Sequence, residues 1–308
     1  MIEAILVEGL IYGILAMGVF ITFRILDFPD LTVEGSFPLG AAVAASCLTA
    51  GVPFPAAALI AVLAGALAGS LTALIHTELR VPPLLAGIVV MTGLYSINLR
   101  VMGGRSNIQL IGNRPLINFS TTWLPSVTPE LASAIFFSLI ILILIVILDL
   151  FFHTEYGLTL GALGDNIKVV IASGSNPTRF KVAGVALANA LVALAGALAS
   201  QHHGFADVNL GAGVVALGLA SVMIGELILR TNRIGIQLFR VVLGAVIFKA
   251  ILFGARFYGY IAGITPNDLR LLTALMIVIS LVLGQWKSAL EDRQAQQAAL
   301  RRKAEELL

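Results

Sequence analysis

Ile135-Phe-Phe-Ser-Leu-Ile-Ile-Leu-Ile-Leu-Ile-Val-Ile-Leu-Asp-Leu150 holds one charged residue, Asp149, at its very end. A membrane-crossing helix needs about 20 predominantly apolar residues, and this run supplies most of one without interruption. Val182–Ala199 is a second run of the same kind. The whole chain follows suit: 58% of its 308 residues are hydrophobic and 12% are charged, with a mean hydropathy of +0.98. A soluble domain would carry roughly a quarter of its residues charged to cover its surface. The composition therefore specifies an all-α polytopic membrane protein.

Hydropathy marks about nine candidate spans, with eight to ten allowed, near 4–23, 31–50, 54–75, 82–99, 131–152, 182–200, 208–228, 235–254 and 268–286. They make residues 1–286 one transmembrane domain and leave 287–308 as a charged, Ala/Gln/Leu-rich helical tail. The first run lacks a basic leader and a small-residue cleavage site, so it reads as a retained span. His76–Arg80, Lys168–Lys181, Arg230–Arg233 and Lys287–Lys303 fall in alternate connections, which places them in the cytoplasm. Arg100, Arg105, Arg114 and Arg256 fall on the other side, so the bias is moderate. An odd number of spans with an internal tail puts the N-terminus outside.

Two short stretches match. Phe28-Pro-Asp-Leu-Thr-Val33 and Phe205-Ala-Asp-Val-Asn-Leu210 each follow an apolar span and lead into a Gly/Ala-rich one. Aspartate, threonine and asparagine are natural helix N-caps, because their side chains accept from unpaired backbone N–H groups. The spans before the two stretches run in opposite directions, so the repeat is inverted. Inverted repeats with interrupted helices are a transporter plan, with the solute path between the halves. Two Asp-capped turns matched by chance are the alternative.

Between the fifth and sixth spans lies a different kind of segment, residues 157–178. It contains Gly161-Ala-Leu-Gly-Asp-Asn-Ile-Lys and ends in Gly174-Ser-Asn-Pro177. Asp165 or Asn166 caps a short helix, Gly174 suits its left-handed end and Pro177 the first turn of the next span. A stiff cytoplasmic helix with a carboxylate, an amide, a lysine and apolar side chains is a docking surface, or an interfacial helix lying on the bilayer.

Gly161-Ala-Leu-Gly-Asp-Asn166 and Gly174-Ser-Asn-Pro177 resemble the coupling loop of ABC importer permeases of the branched-chain amino acid and ribose type. This chain has Gly161 where that family usually has arginine, and Ile167 where proline is usual. Asp30-Leu-Thr-Val-Glu-Gly-Ser36 looks like the family's Asp-Leu-Ser-Val-Gly-Ser signature with Glu34 as an extra residue. Pro266-Asn-Asp-Leu-Arg-Leu-Leu-Thr-Ala-Leu275 is similar to the last span of a branch served by peptide- or amino-acid-like binding proteins. The resemblance runs from about residue 5 to 286, and three moderately specific motifs occur in the right order.

What the resemblance implies is a permease subunit in the inner membrane. Its coupling helix, with Gly161, Ala162, Leu163, Gly164, Asp165, Asn166, Ile167 and Val170, seats in a separate ATPase subunit, present in two copies. It further implies an external solute-binding protein and a second permease copy, most simply in a homodimer. No phosphate-binding G-x-x-x-x-G-K-[ST] loop is present, so ATP and Mg belong to the partner and this chain needs no cofactor. His76, His153, His202 and His203 form no metal-ligand spacing, and Cys47 is a lone cysteine in an apolar run. No nucleophile set is assembled, and no basic patch interleaved with aromatics suggests nucleic acid.

Ionisable residues within spans are costly, at about 2.5 kcal/mol or more on insertion scales. Lys249 is either a polar path residue or a gate partner for Glu34 or Asp30, or else a subunit-interface ion pair or a side chain snorkelling to the membrane surface. Glu226 and Arg230, one turn apart, are expected to pair. The expected solute path is Asp30, Thr32, Glu34, Ser36, Asp207, Asn209 and Lys249, with helix N-termini favouring an anionic group. The expected cargo is an amino acid or amino-acid-like solute; a self-sufficient secondary transporter or channel is the alternative.

Overall fold

A computed structural model of the chain describes residues 2–112, 115–123, 128–229, 231–259, 271, 273–279 and 282. In chain order these form α1 (Ile2–Phe20, extended by a π-helical turn Ile21–Ile25), α2 (Val33–Thr49), α3 (Phe54–Glu78), α4 (Pro83–Val101), β1 (Asn107–Gln109), α5 (Pro115–Trp123), α6 (Pro129–Phe152), α7 (Glu155–Asp165), α8 (Ile167–Ala172), α9 (Pro177–His203), β2 (Phe205–Asp207), a 3-10 turn (Val208–Gly211), α10 (Val214–Ile228) and α11 (Ile234–Gly259). Among the described residues seven segments are long and apolar enough to cross a membrane. They correspond to expected spans one and three to eight. The ninth expected span, 268–286, and the tail lie largely outside the described residues, as does Arg114.

The second expected span is α2, which has 17 residues. At 1.5 Å per residue it is about 25 Å long, short of a hydrocarbon core about 30 Å thick. It is also buried along most of its length, unlike α3, α4 and α6, whose outer faces show leucine and isoleucine as a lipid-facing helix must. Pro38 stands inside it and has no N–H to return to the Glu34 carbonyl. Gly211 packs against that free carbonyl, where a Cβ would collide with it.

Helix directions follow from which residues meet. Gly18 lies against Ala188 and Val192 while Gly184 lies against Leu26, so α1 and α9 are antiparallel. Ser36 bonds Asn189 and Gly40 abuts Ala193, so α2 runs parallel to α9. Gly65 meets Ala193 and Gly69 meets Val185, which makes α3 antiparallel to both. α11 opposes α1, with Gly9 at Val246 and Gly13 at Val242. Small residues at these contacts let backbones approach closely where lipid supplies no hydrophobic drive. The result is a central sheath of α1, α2 and α9 around which α3, α4, α6, α10 and α11 pack.

One end of the bundle collects Arg24, Arg80, Lys168, Arg179, Lys181 and Arg233, matching the expected cytoplasmic side. The other end holds a two-stranded ladder that hydropathy does not foresee. β1 pairs antiparallel with β2, Asn107 opposite Asp207 and Gln109 opposite Phe205.

Candidate functional site

Both Phe-x-Asp stretches interrupt the helical run. After the π turn the chain reverses through Asp27, which adopts a left-handed φ of 49°, and proceeds extended to Asp30. Asp30 Oδ1 then accepts from the Thr32 N–H at 2.8 Å, which opens α2. In the second stretch Asp207 Oδ1 accepts from the Asn209 N–H, also at 2.8 Å, opening the 3-10 turn. The same capping bond forms after two antiparallel helices, which is the geometry an inverted repeat requires.

Asp30 sits in a sealed polar knot. Asn189 Nδ2 donates to Asp30 Oδ2 at 2.7 Å and to the Val185 carbonyl at 3.0 Å. Ser36 Oγ donates to Asn189 Oδ1 at 2.7 Å, and the Thr32 and Thr72 hydroxyls share a bond of 2.6 Å. Asp30, Thr32, Ser36, Thr72 and Asn189 are all fully buried. Four of the expected path residues therefore divide, with Asp30, Thr32 and Ser36 inside the knot and Glu34 outside it. Thr72 and Asn189 escaped sequence reasoning, although an amide within the apolar run Val182–Ala199 was a usable signal.

Glu34 reaches the other stretch. Its Oε1 accepts from the Gly213 N–H at 3.1 Å, and Gly213 is the N-cap of α10. The first turn of α2 and the start of α10 thus meet at one carboxylate. Beside it a cavity of about 300 Å³ opens between α2, α4 and the 3-10 turn, with Glu34, Tyr95, Asn98 and Asn209 in its wall. Asp207 stands at the outer end, bonded to Asn107 Nδ2 at 3.2 Å and to Asn209 Nδ2 at 3.1 Å.

Lys249 is held elsewhere. Its Nζ lies 3.2 Å from Glu8 Oε2 and 3.5 Å from the centre of the Tyr12 ring, an ion pair with a cation–π contact. The pairing with Glu34 or Asp30 considered from sequence is not formed, because α11 packs on the far side of α1. Glu226 meets Arg24 and Arg240, each at 3.1 Å, while Arg230 lies outside the described residues. Among the described residues no group of three or more His, Cys, Asp or Glu is placed to hold a metal.

The segment between α6 and α9 forms two short helices joined at Asn166. Asn166 caps α8 by accepting from the Lys168 N–H at 3.0 Å, and Asn176 caps α9 in the same way through Thr178. Gly174 takes a φ of 76° and Pro177 opens α9. Gly164 lies directly on the Ile25 carbonyl, which ties α7 to the end of α1. Leu163 and Val170 turn inward, at 5% and 1% exposure, whereas Ile167 and Ile171 face outward at 41% and 57%. Asp165 is exposed beside them, and Gly161 and Ala162 are partly covered.

Comparison with known proteins agrees with this architecture. Residues 1–281 match the family described as "Branched-chain amino acid transport system / permease component". A tyrosine transport system permease protein of Clostridioides difficile (strain R20291) is 35% identical over 294 residues, 96% of this chain and 95% of the relative. An uncharacterized protein of Rickettsia prowazekii (strain Madrid E) is 32% identical over 276 residues, 89% of this chain and 94% of its own length. No solved structure matches the chain.

Proposed function

The chain belongs to the branched-chain amino acid transport permease family, and from that premise we propose that it is the transmembrane subunit of a binding-protein-dependent ABC importer. It is a multi-pass protein of the bacterial inner membrane. A separate ATPase, in two copies, supplies the energy and binds the ATP and Mg. An external binding protein delivers the solute, and two permease copies enclose the path. The cargo is an amino acid or amino-acid-like compound, a reading supported by the transport name of the Clostridioides difficile relative.

The observation that carries the proposal is the outward face of α8. Ile167 and Ile171 stand one helical turn apart at the cytoplasmic end of the bundle, exposed beside Asp165 and Lys168. An apolar pair rimmed by charge suits a protein groove. The turn behind it is anchored through Leu163, Val170 and Gly164 to the chain's own interior. Motion of a seated ATPase would therefore pass through α7 to the end of α1, immediately before the break at Asp30.

Reconstitution tests this. Proteoliposomes holding the permease, its ATPase and its binding protein should take up solute only with ATP and binding protein present. Replacing Ile167 and Ile171 together by Asp should reduce uptake by at least about tenfold while the permease stays in the membrane, the loss expected when a central interface pair is removed. Uptake driven by an ion gradient without the ATPase would overturn the proposal. So would normal coupling in the double variant.

A further inference from the structure

Four side chains in the wall of the cavity beside Glu34, those of Glu34, Thr92, Asn98 and Asn209, offer acceptors. Glu34 uses one carboxylate oxygen to cap α10, and its other oxygen has no partner among the described residues. Asn98 is only 1% exposed. Its Nδ2 donates to the Gly35 carbonyl at 3.3 Å, and its Oδ1 has no hydrogen-bond partner among the described residues. Asn209 Nδ2 gives one N–H to Asp207 Oδ1 at 3.1 Å, and the side-chain Oδ1 of Asn209 has no partner among the described residues. The Thr92 hydroxyl donates to the Ile88 carbonyl at 2.8 Å and so offers lone pairs to the cavity. Asn98, Asn209 and Thr92 each give a hydrogen bond to a protein oxygen, and Tyr95 adds a hydroxyl that can donate or accept.

Charge follows the same pattern. Among the described residues no lysine or arginine lines the cavity. The starts of α2 and α10 each contribute about half a positive charge. Glu34 is the one carboxylate among the described lining residues, in a recess where Asn98 Oδ1 is a buried orphan acceptor. A buried oxygen without a donor is costly, so the matching ligand brings several N–H groups and a positive charge.

We infer that this cavity is a recognition subsite for the primary ammonium group of the transported solute, with Glu34 as counter-ion and Asn98, Asn209 and Thr92 as neutral acceptors. The inference rests on the permease reading for the word "transported"; the chemistry of the cavity stands apart from it. Three ammonium N–H groups match the supply of acceptors, and Tyr95 and Met91 provide the less polar wall for the remainder of the solute.

The test reads the field of the cavity directly. In the full-length chain within its complex, in membrane vesicles, Cys47→Ser is combined with Ala212→Cys, an exposed position in the cavity wall. Two thiosulfonate reagents of equal length, one ending in an ammonium and one in a sulfonate, are compared. The ammonium reagent should be favoured by about tenfold over its ratio on a free small thiol, the size of effect one nearby charge produces in a recess. Glu34→Gln keeps the acceptor for Gly213 and should abolish the preference, while Glu34→Asp should retain part of it. A ratio unaffected by Glu34→Gln overturns the inference. Should Glu34→Gln fail to assemble, ethylammonium must slow a neutral thiol reagent at Ala212→Cys, in the Cys47→Ser background that keeps Glu34, where isobutyrate does not; equal protection by both overturns it. No ATP is needed, so failed ATP-driven uptake with a preserved preference would sink only the transport reading. ATP-driven uptake with no preference would sink only this subsite.

Discussion

Asp30 and Asp207 make the same bond, accepting from the backbone N–H two residues on at 2.8 Å, yet their surroundings are opposite. Asp30 is fully buried and answered by Asn189 from the middle of α9. Asp207 is partly exposed, at the outer end of the bundle, and answered by Asn107 in a three-residue strand. One half of the repeat is locked into the core by side chains from α3 and α9. The other is tied down by a short ladder between loops. In such a pair the first break is a fixed reference and the second is the one able to open at low cost. Glu34 joins them, anchored in the first half and capping the second through Gly213.

The sharpest way to break this contrast is at Asn189. Asn189→Leu removes the donor to Asp30 and the acceptor of Ser36 while leaving a carboxylate sealed in the core. Stranding one partner of a buried charged contact costs about 3–5 kcal/mol. Thermal unfolding in detergent should show a large drop, and a loss under about 1 kcal/mol would mean the knot holds nothing together. Asp207→Ala is the matched change on the other side. It removes a cap worth about 1 kcal/mol in a wet setting, so its melting temperature should fall much less than that of Asn189→Leu. Equal losses would erase the distinction between the halves.

The features legible from sequence are those that need no partner. Apolar runs such as Ile135–Leu150 announce spans because hydrocarbon tolerates nothing else, and eight of the nine expected spans correspond to described helices. The cap at Asn166, the turn at Gly174 and the place of Pro177 in the first turn of α9 were legible because they are local backbone chemistry. Pairings across the fold were not. Lys249 finds Glu8 across 241 residues, and Asn189 finds Asp30 across 159. Helix periodicity also could not say that Leu163 and Val170 turn inward while Ile167 and Ile171 face out, since α7 and α8 are short helices set by packing, α7 on the end of α1 and α8 on α9.

Thiol accessibility in the complete complex, in a Cys47→Ser background, sets the two breaks side by side. With Thr32→Cys on the sealed side and Asn209→Cys on the cavity side, a small water-soluble thiol reagent is applied at rest and during ATP turnover. Burial in a packed core slows such labelling by at least about tenfold, since the thiolate must wait for an opening. The account predicts rapid labelling at Asn209→Cys, a rate there that changes with turnover and solute, and protection of Thr32→Cys at rest. Equal rates at both positions, or no reaction at Asn209→Cys in any nucleotide state, would contradict it.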